Sequence, residues 1–216
     1  MMNNEEISKL RKNYSHSSLL ESEVDLNPIN QFQIWFAQAM EAQVNEPNAM
    51  CLSTSNNDIP DSRVVLLKGI EDGGFVFYTN YQSHKGQQIE NNPNVHLNFL
   101  WLELERQVRI WGKAKKVSSA QSDAYFKSRP FESQLGAIVS TQSSVIESRE
   151  VLDSSMLNAL EKYNLEGQLP SRPEHWGGYI VEASKIEFWQ GRPNRLHDRL
   201  RYELLEGNWE IKRLAP

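Results

Sequence analysis

The sequence predicts a mainly β fold with inserted helices, of the α+β class, and three observations lead to it. From Ala49 onward the chain breaks into short β-rich runs separated by turn residues. One amphipathic helix stands ahead of them. The helical patterns that follow neither alternate strictly with strands nor open on a Gly-rich phosphate loop, which argues against a doubly wound dinucleotide fold.

Residues 1–26 are rich in Ser, Asn and Glu and read as an arm or short helix with little core of its own, able to fold over a ligand. Asn27 and Pro28 form a helix start, and Ile29, Phe32, Trp35, Phe36, Ala39 and Met40 recur at helical spacing up to the break before Pro47. Strands are expected at Met50–Ser55, Arg63–Leu67, Phe75–Thr79, Val95–Leu102 and Gln107–Val117, with turns at Asn56-Asn57-Asp58, Asp72-Gly73-Gly74 and Asn92-Pro93. Helices are expected around Lys85–Asn91, Ala120–Ser128 and Ser148–Tyr163. Strands then resume at Trp176–Glu182 and Lys185–Gln190, and a hairpin turning at Glu206-Gly207-Asn208 closes the chain. Residues 27–216 read as one domain behind the arm.

The chain has 216 residues, 39% hydrophobic and 24% charged, enough for a sizeable core and unlike either a disordered polyampholyte or a membrane protein. Acidic residues exceed basic ones by 28 to 23, a formal charge of -5, so a general footprint for nucleic acid is absent and any anion must be held by a local basic cluster. The single cysteine, Cys51, lies between Met50 and Leu52 and reads as a buried structural thiol. With no apolar run near the roughly 18 residues of a membrane span and no signal-type segment at the start, a cytoplasmic location is expected.

Gly69 and Gly74 have P-loop spacing, but Phe75 and Val76 stand where Lys and Ser/Thr are required. The five histidines are too scattered for a metal cluster, so no metal is expected. The informative residues are cations set in ordered segments. Arg63-Val64-Val65-Leu66-Leu67-Lys68 carries one at each end of an apolar strand; alternation puts Arg63 and Lys68 on opposite faces about 17 Å apart, fit for two anions, for one long ligand, or simply for solvent. Tyr125, Arg129 and Ser133 are spaced by four and line up on one side if the helix runs through or restarts at Pro130, a set suited to phosphate or to a solvated face. Gln142-Ser143-Ser144 is a polar loop. In an extended strand Arg195, His197, Arg199 and Arg201 would share a face, an arrangement costly without a bound anion, and the guanidiniums would keep His197 neutral and able to accept a proton or a hydrogen bond. Trp189, six residues earlier, could wall a planar ligand or simply sit in the core.

Arg63-Val-Val-Leu-Leu-Lys68, Phe77-Tyr-Thr-Asn80, Gln88-Ile-Glu-Asn-Asn-Pro93, Leu104-Glu-Arg-Gln-Val108, Ser128-Arg-Pro130, Glu187-Phe-Trp-Gln-Gly191, Arg195-Leu-His-Asp-Arg199 and Lys212-Arg-Leu-Ala-Pro216 together resemble, over nearly the whole chain, the pyridoxine (pyridoxamine) 5'-phosphate oxidases. Those are FMN-dependent homodimers with a split β-barrel fold. The resemblance implies FMN contacts from Arg63, Val64, Val65, Leu66, Leu67, Lys68, Tyr78, Thr79, Lys85, Gln107, Gln142, Ser143, Trp189 and Arg199. It implies substrate contacts from Lys68, Tyr125, Arg129 and Ser133 to the phosphate, with Arg195 and His197 over the pyridine ring as catalytic residues and Arg11 and Tyr14 closing from the arm. Where many relatives read Ser-Arg-Lys, this chain reads Ser83-His84-Lys85, so His84 takes the place of a guanidinium at the FMN phosphate.

The implied reaction oxidises pyridoxamine or pyridoxine 5'-phosphate to pyridoxal 5'-phosphate, a step of vitamin B6 biosynthesis and salvage, with oxygen reduced to hydrogen peroxide and the FMN site shared between two subunits. A non-catalytic split-barrel flavin-binding protein would keep Arg63 and Tyr78-Thr79 but would not need Tyr125, Arg129, Arg195 and His197. An interaction module with a basic strand would be colourless and strongly salt-dependent in binding.

Overall fold

The structure, a computed structural model, describes residues 3–10, 13–15 and 17–216, leaving aside the side chain of Glu166. In chain order the elements are α1 (Asn4–Lys9), α2 (Pro28–Glu41), β1 (Ala49–Asn56), β2 (Ile59–Leu66), β3 (Gly69–Glu71), β4 (Gly74–Asn80), α3 (His84–Asn91), β5 (Asn94–Trp101), β6 (Arg106–Lys116), α4 (Ser119–Ser128), α5 (Phe131–Val139), α6 (Arg149–Glu166), β7 (Trp176–Gln190), β8 (Asp198–Leu205) and β9 (Asn208–Arg213). Short 3-10 turns fill Leu102–Leu104 and Pro193–Arg195. The strands follow the order β2-β1-β5-β6-β7-β4-β3, with β8 on β7 and β9 on β8. Among the described residues no helix is long and apolar enough to cross a membrane.

Local chemistry accounts for most of these boundaries. The Asn27 side chain accepts from the Ile29 amide, and Pro28 fills the first helical position, so α2 starts where its missing donor costs nothing. The β1–β2, β3–β4 and β8–β9 loops each set two central residues at positive φ (Asn57 and Asp58, Asp72 and Gly73, Glu206 and Gly207), the twist that suits a two-residue hairpin. β1 and β5 alternate buried and partly exposed positions, as half-covered strands do.

One difference concerns Trp176–Glu182 and Lys185–Gln190, which form a single strand, β7. Its residues 176–182 pair antiparallel with β4, and its residues 185–190 pair antiparallel with β8. Continuous extended backbone with a change of partner looks, in sequence, like two strands. A second concerns Cys51, which is half-buried rather than buried.

The chain forms two compact units. One is built from residues 1–50, 97–111 and 184–216. In it α2 is too short to stand alone in water, and its apolar face fixes it instead: Phe32 lies 5.0 Å from Phe99 and Trp35 lies 5.1 Å from Phe188, ring to ring. Fully burying a side chain such as Phe32 contributes about 1.5–3 kcal/mol. The Tyr202 hydroxyl donates to the Asp25 carbonyl, tying β8 to the stretch before α2. The other unit comprises residues 51–96 and 112–183, with Phe75, Val76, Phe77, Ile89, Phe126, Leu135, Tyr179 and Val181 as its core.

Candidate active site

Within the unit of residues 51–96 and 112–183 lies a cleft of about 510 Å3 lined by Val64, Val65, Leu66, Lys68, Tyr78, Thr79, Lys85, Tyr125, Arg129, Pro130, Ser133, Gln142 and Trp176. Lys85 comes from the first turn of α3, where Ser83 caps the helix by accepting from the Gly86 amide. A side chain at Gly86 would put its Cβ 2.1 Å from the Tyr81 carbonyl oxygen, so only glycine lets the helix start close enough to β4 to aim Lys85 inward. The Lys85 ammonium donates to Thr79 Oγ1 at 3.0 Å and Ser83 Oγ at 3.1 Å. Burial, and then the neighbouring Arg63, push its pKa down to about 8. Arg63 does not line the cleft; its guanidinium donates to Thr54 Oγ1 at 2.6 Å, Gln88 Oε1 at 3.1 Å and the Leu52 carbonyl, and pairs with Asp61. Since β2 ends at Leu66, strand alternation does not carry through to Lys68, which reaches the cleft from the link to β3.

Tyr125, Arg129 and Ser133 do meet in this cleft, though not along a continuous helix. Arg129 is extended, at ψ 151, because Pro130 follows it, and α5 starts afresh at Phe131. Gln134 bridges the break by donating to the Arg129 carbonyl at 2.9 Å. The Tyr125 ring stacks on Tyr78 at 3.8 Å, and the Arg129 guanidinium lies 4.6 Å from the Trp176 ring centre. Arg129 Nη1 is buried with no hydrogen-bond partner, and burial lowers the Arg129 pKa. A smaller cleft of about 290 Å3 adjoins, sharing Arg129, Ser133, Gln142 and Trp176.

Tyr14, Gln107, Trp189, Arg195, His197 and Arg199 fall in the other unit. Tyr14, Trp189 and His197 cluster there, His197 lying 4.6 Å from Trp189 and 5.7 Å from Tyr14. A cleft of about 770 Å3 is lined by Leu10, Asn13, Tyr14, Arg192, Asn194, Arg195 and His197. The expected strand from Arg195 to Arg201 is not formed. Asn194 and Arg195 have φ of 59 and 61 in a 3-10 turn, and β8 begins only at Asp198. Arg195 and His197 therefore do not continue the strand face that Arg199 occupies. Nor are the strand cations uncompensated: Arg199 donates through Nε and Nη2 to the buried Glu187 at 2.9 Å each, Arg109 stands 3.6 Å from the same carboxylate, and Arg201 pairs with Glu203 at 3.0 Å. Protein carboxylates take the part that the charge pattern had assigned to a bound anion.

The His197 ring is also differently poised. Its pKa is lowered, first by burial and then by Arg195. The Arg192 amide donates to Nδ1 at 3.1 Å, so the neutral ring carries its proton on Nε2. His197 thus accepts a hydrogen bond through Nδ1, one of the two roles expected from sequence, and offers its other nitrogen as a donor.

Residues 36–159 match the family described as pyridoxamine 5'-phosphate oxidase, and residues 176–216 match the pyridoxine 5'-phosphate oxidase C-terminal dimerisation region. The chain belongs to the pyridoxamine 5'-phosphate oxidase family. A pyridoxine/pyridoxamine 5'-phosphate oxidase of Gloeothece citriformis is 57% identical over 212 residues, 97% of this chain and 98% of the relative. Among solved structures, PhzG from Burkholderia lata, in complex with tetrahydrophenazine-1-carboxylic acid, is 29% identical with a TM-score of 0.86 over 94% of this chain and 100% of its own. A pyridoxamine 5'-phosphate oxidase-related, FMN-binding protein of Nostoc punctiforme, 14% identical, shares the fold with a TM-score of 0.68 over 86% of this chain and 97% of its own. The fold is the split barrel of this oxidase family, as the sequence predicted.

Several residues implied by the family resemblance lie away from the described clefts. Leu67 is buried, His84 is exposed at the start of α3, and Ser143 sits at φ 74 in the loop after α5. Gln107 donates to Asn98 Oδ1 at 2.8 Å. Arg11 is outside the described residues. Sequence reasoning gave no site role to Trp176, nor to Pro130 and Glu187, which it quoted only within family motifs or as a helix break. Trp176 carried the only available signal, as an aromatic at the start of a predicted strand; the partner of a buried carboxylate has no local signature.

Proposed function

We propose that this member of the oxidase family is an FMN-dependent pyridoxine/pyridoxamine 5'-phosphate oxidase, a cytoplasmic homodimer whose flavin site is shared between subunits. The observation that carries the reading is the buried, unpartnered Nη1 of Arg129 in a cleft that also holds Lys68 and the desolvated Lys85. Cations withdrawn from water in a chain of net charge -5 fit phosphoryl groups. Lys85 and Thr79, with Arg63 behind them, would hold the FMN phosphate. Lys68, Tyr125, Arg129 and Ser133 would hold the phosphate of the substrate.

When bound, FMN would supply the redox chemistry, a two-electron oxidation of the substrate coupled to reduction of oxygen. The chain's own residues bind and orient. In this reading Arg195, His197, Trp189 and Arg199, within or beside the dimerisation region, act at the flavin of the other subunit. Tyr14 and the arm close over the ring and exclude water. His197, neutral with its proton on Nε2, donates a hydrogen bond that orients the substrate ring; it does not take the proton from the amine or alcohol.

Purification with an absorbance spectrum, identification of the released flavin, and peroxide detection with pyridoxamine and pyridoxine 5'-phosphate test the proposal. A yellow dimer releasing FMN and forming peroxide is expected. A colourless protein, adenine in the extract, or bound flavin without turnover on either substrate would overturn it.

A further inference from the structure

We propose that Glu105 and Gly191 are positioning residues that seat the N-terminal arm, so that the Tyr14 ring is held against Trp189 and His197; the inference rests on the reading that Tyr14 and His197 face the substrate. Glu105 occupies the turn between Leu102–Leu104 and β6 with φ 55, a conformation that L side chains other than Asn and Asp seldom take, and it is 7% exposed. A carboxylate so placed requires a partner. Its Oε2 accepts from the Ser15 amide at 2.8 Å, ninety positions away in the chain. The carbonyl of the same residue accepts from the Gly191 amide at 2.8 Å and from Gln190 Nε2 at 3.3 Å. One residue thereby ties the arm, through its side chain, to the end of β7, through its backbone.

Gly191 provides the space. A Cβ there would lie 2.8 Å from Tyr14 Cγ, 2.9 Å from Tyr14 Cβ and 3.0 Å from Glu105 Cβ, closer than carbon atoms approach. Its absence lets Tyr14 meet Trp189 edge to face at 5.8 Å and His197 at 5.7 Å. A second tie follows at Ser17, whose carbonyl accepts from Arg192 Nη1 at 3.2 Å, while the amide of Arg192 sets the His197 ring through Nδ1. The strap and the imidazole it covers are thus oriented by neighbouring positions, Gly191 and Arg192.

The test joins hydrogen exchange of the arm with kinetics of the flavin-loaded enzyme on pyridoxamine 5'-phosphate. Glu105→Leu removes the acceptor, and Ser15→Pro removes the donor at an exposed position where folding is not at stake. Each should accelerate exchange across residues 13–18 and raise KM about tenfold, the lower range for a lost hydrogen bond to a charged group, with kcat and flavin affinity unchanged. Glu105→Gln keeps a carbonyl acceptor and should stay near wild type in both readouts. Gly191→Ala should raise KM in the wild-type background and raise it less in Tyr14→Gly, which lacks both Tyr14 atoms nearest the new methyl. Protection of the arm that survives both Glu105→Leu and Ser15→Pro, or an equal effect of Gly191→Ala with and without the Tyr14 ring, would overturn the inference. A wild-type protein inactive on this substrate would instead overturn the functional reading, and exchange alone would then decide whether Glu105 seats the arm.

Discussion

Replacing Lys85 by Met separates what the charge costs the empty protein from what it contributes to holding a phosphate. Lys85 is 7% exposed, and its pKa falls from the ordinary 10.5 to about 8 because burial, and then Arg63, disfavour the ammonium. That depression corresponds to about 3 kcal/mol against the charged form. The unfolded chain binds this proton more tightly than the folded one, so the group's contribution to stability rises between pH 8 and 10.5, and the whole penalty is present below pH 8. Lys85→Met removes the penalty at pH 7 and loses the hydrogen bonds to Thr79 and Ser83, each worth about 0.5–1.5 kcal/mol. The apoprotein should gain about 1 kcal/mol, or roughly 2–4 °C in Tm for a chain of this size. FMN should bind about 10- to 150-fold more weakly, because a charge-assisted bond to its phosphate is gone. In the wild type FMN affinity should fall as pH rises through about 8, and this slope should vanish in the variant. Thermal melts of apoprotein at equal protomer concentration, with a fluorescence titration of FMN across pH, make the measurement. An apo variant that melts below wild type, or that keeps wild-type FMN affinity, would refute the reasoning.

Arg129→Ala should raise KM for pyridoxamine 5'-phosphate about 10- to 150-fold with flavin content unchanged, and steady-state kinetics on flavin-replete protein would show it. Arg199→Ala leaves Glu187 buried beside Arg109 alone; the apoprotein should lose about 3 kcal/mol, the low end for a broken buried pair, and bind flavin poorly, so an unchanged melting curve would remove the pair from the stability account. His197→Asn should keep flavin and slow anaerobic flavin reduction by about 100-fold or less, since a donor that orients is lost rather than a base. The wild-type pH profile should carry an acidic limb below the ordinary histidine range, where protonation of Nδ1 breaks its bond to the Arg192 amide, and His197→Asn should lack that limb.

The sequence by itself determined the elements whose signals are local. Asn27-Pro28 marks the start of α2, and the turn residues at Asn57-Asp58, Asp72-Gly73 and Glu206-Gly207 place three hairpins, whereas Tyr125, Arg129 and Ser133 meet in one cleft across a helix break at Pro130 that their spacing by four does not span. The run of family motifs likewise sits in the primary structure. Only the tertiary structure decided which partner each element and each charge would meet. The exchange of β4 for β8 along β7 is invisible in a run of extended residues, because pairing is chosen by strands far away in the chain. The basic segment after Gly191 reads as one strand, yet the positive φ of Asn194 and Arg195 sets Arg195 and His197 apart from Arg199, and Glu187 neutralises the latter from a neighbouring strand. The donor state of His197 and the depressed pKa of Lys85 depend on one backbone amide and on burial. Burial and counter-charge are non-local quantities, summed over residues that a linear pattern does not bring together.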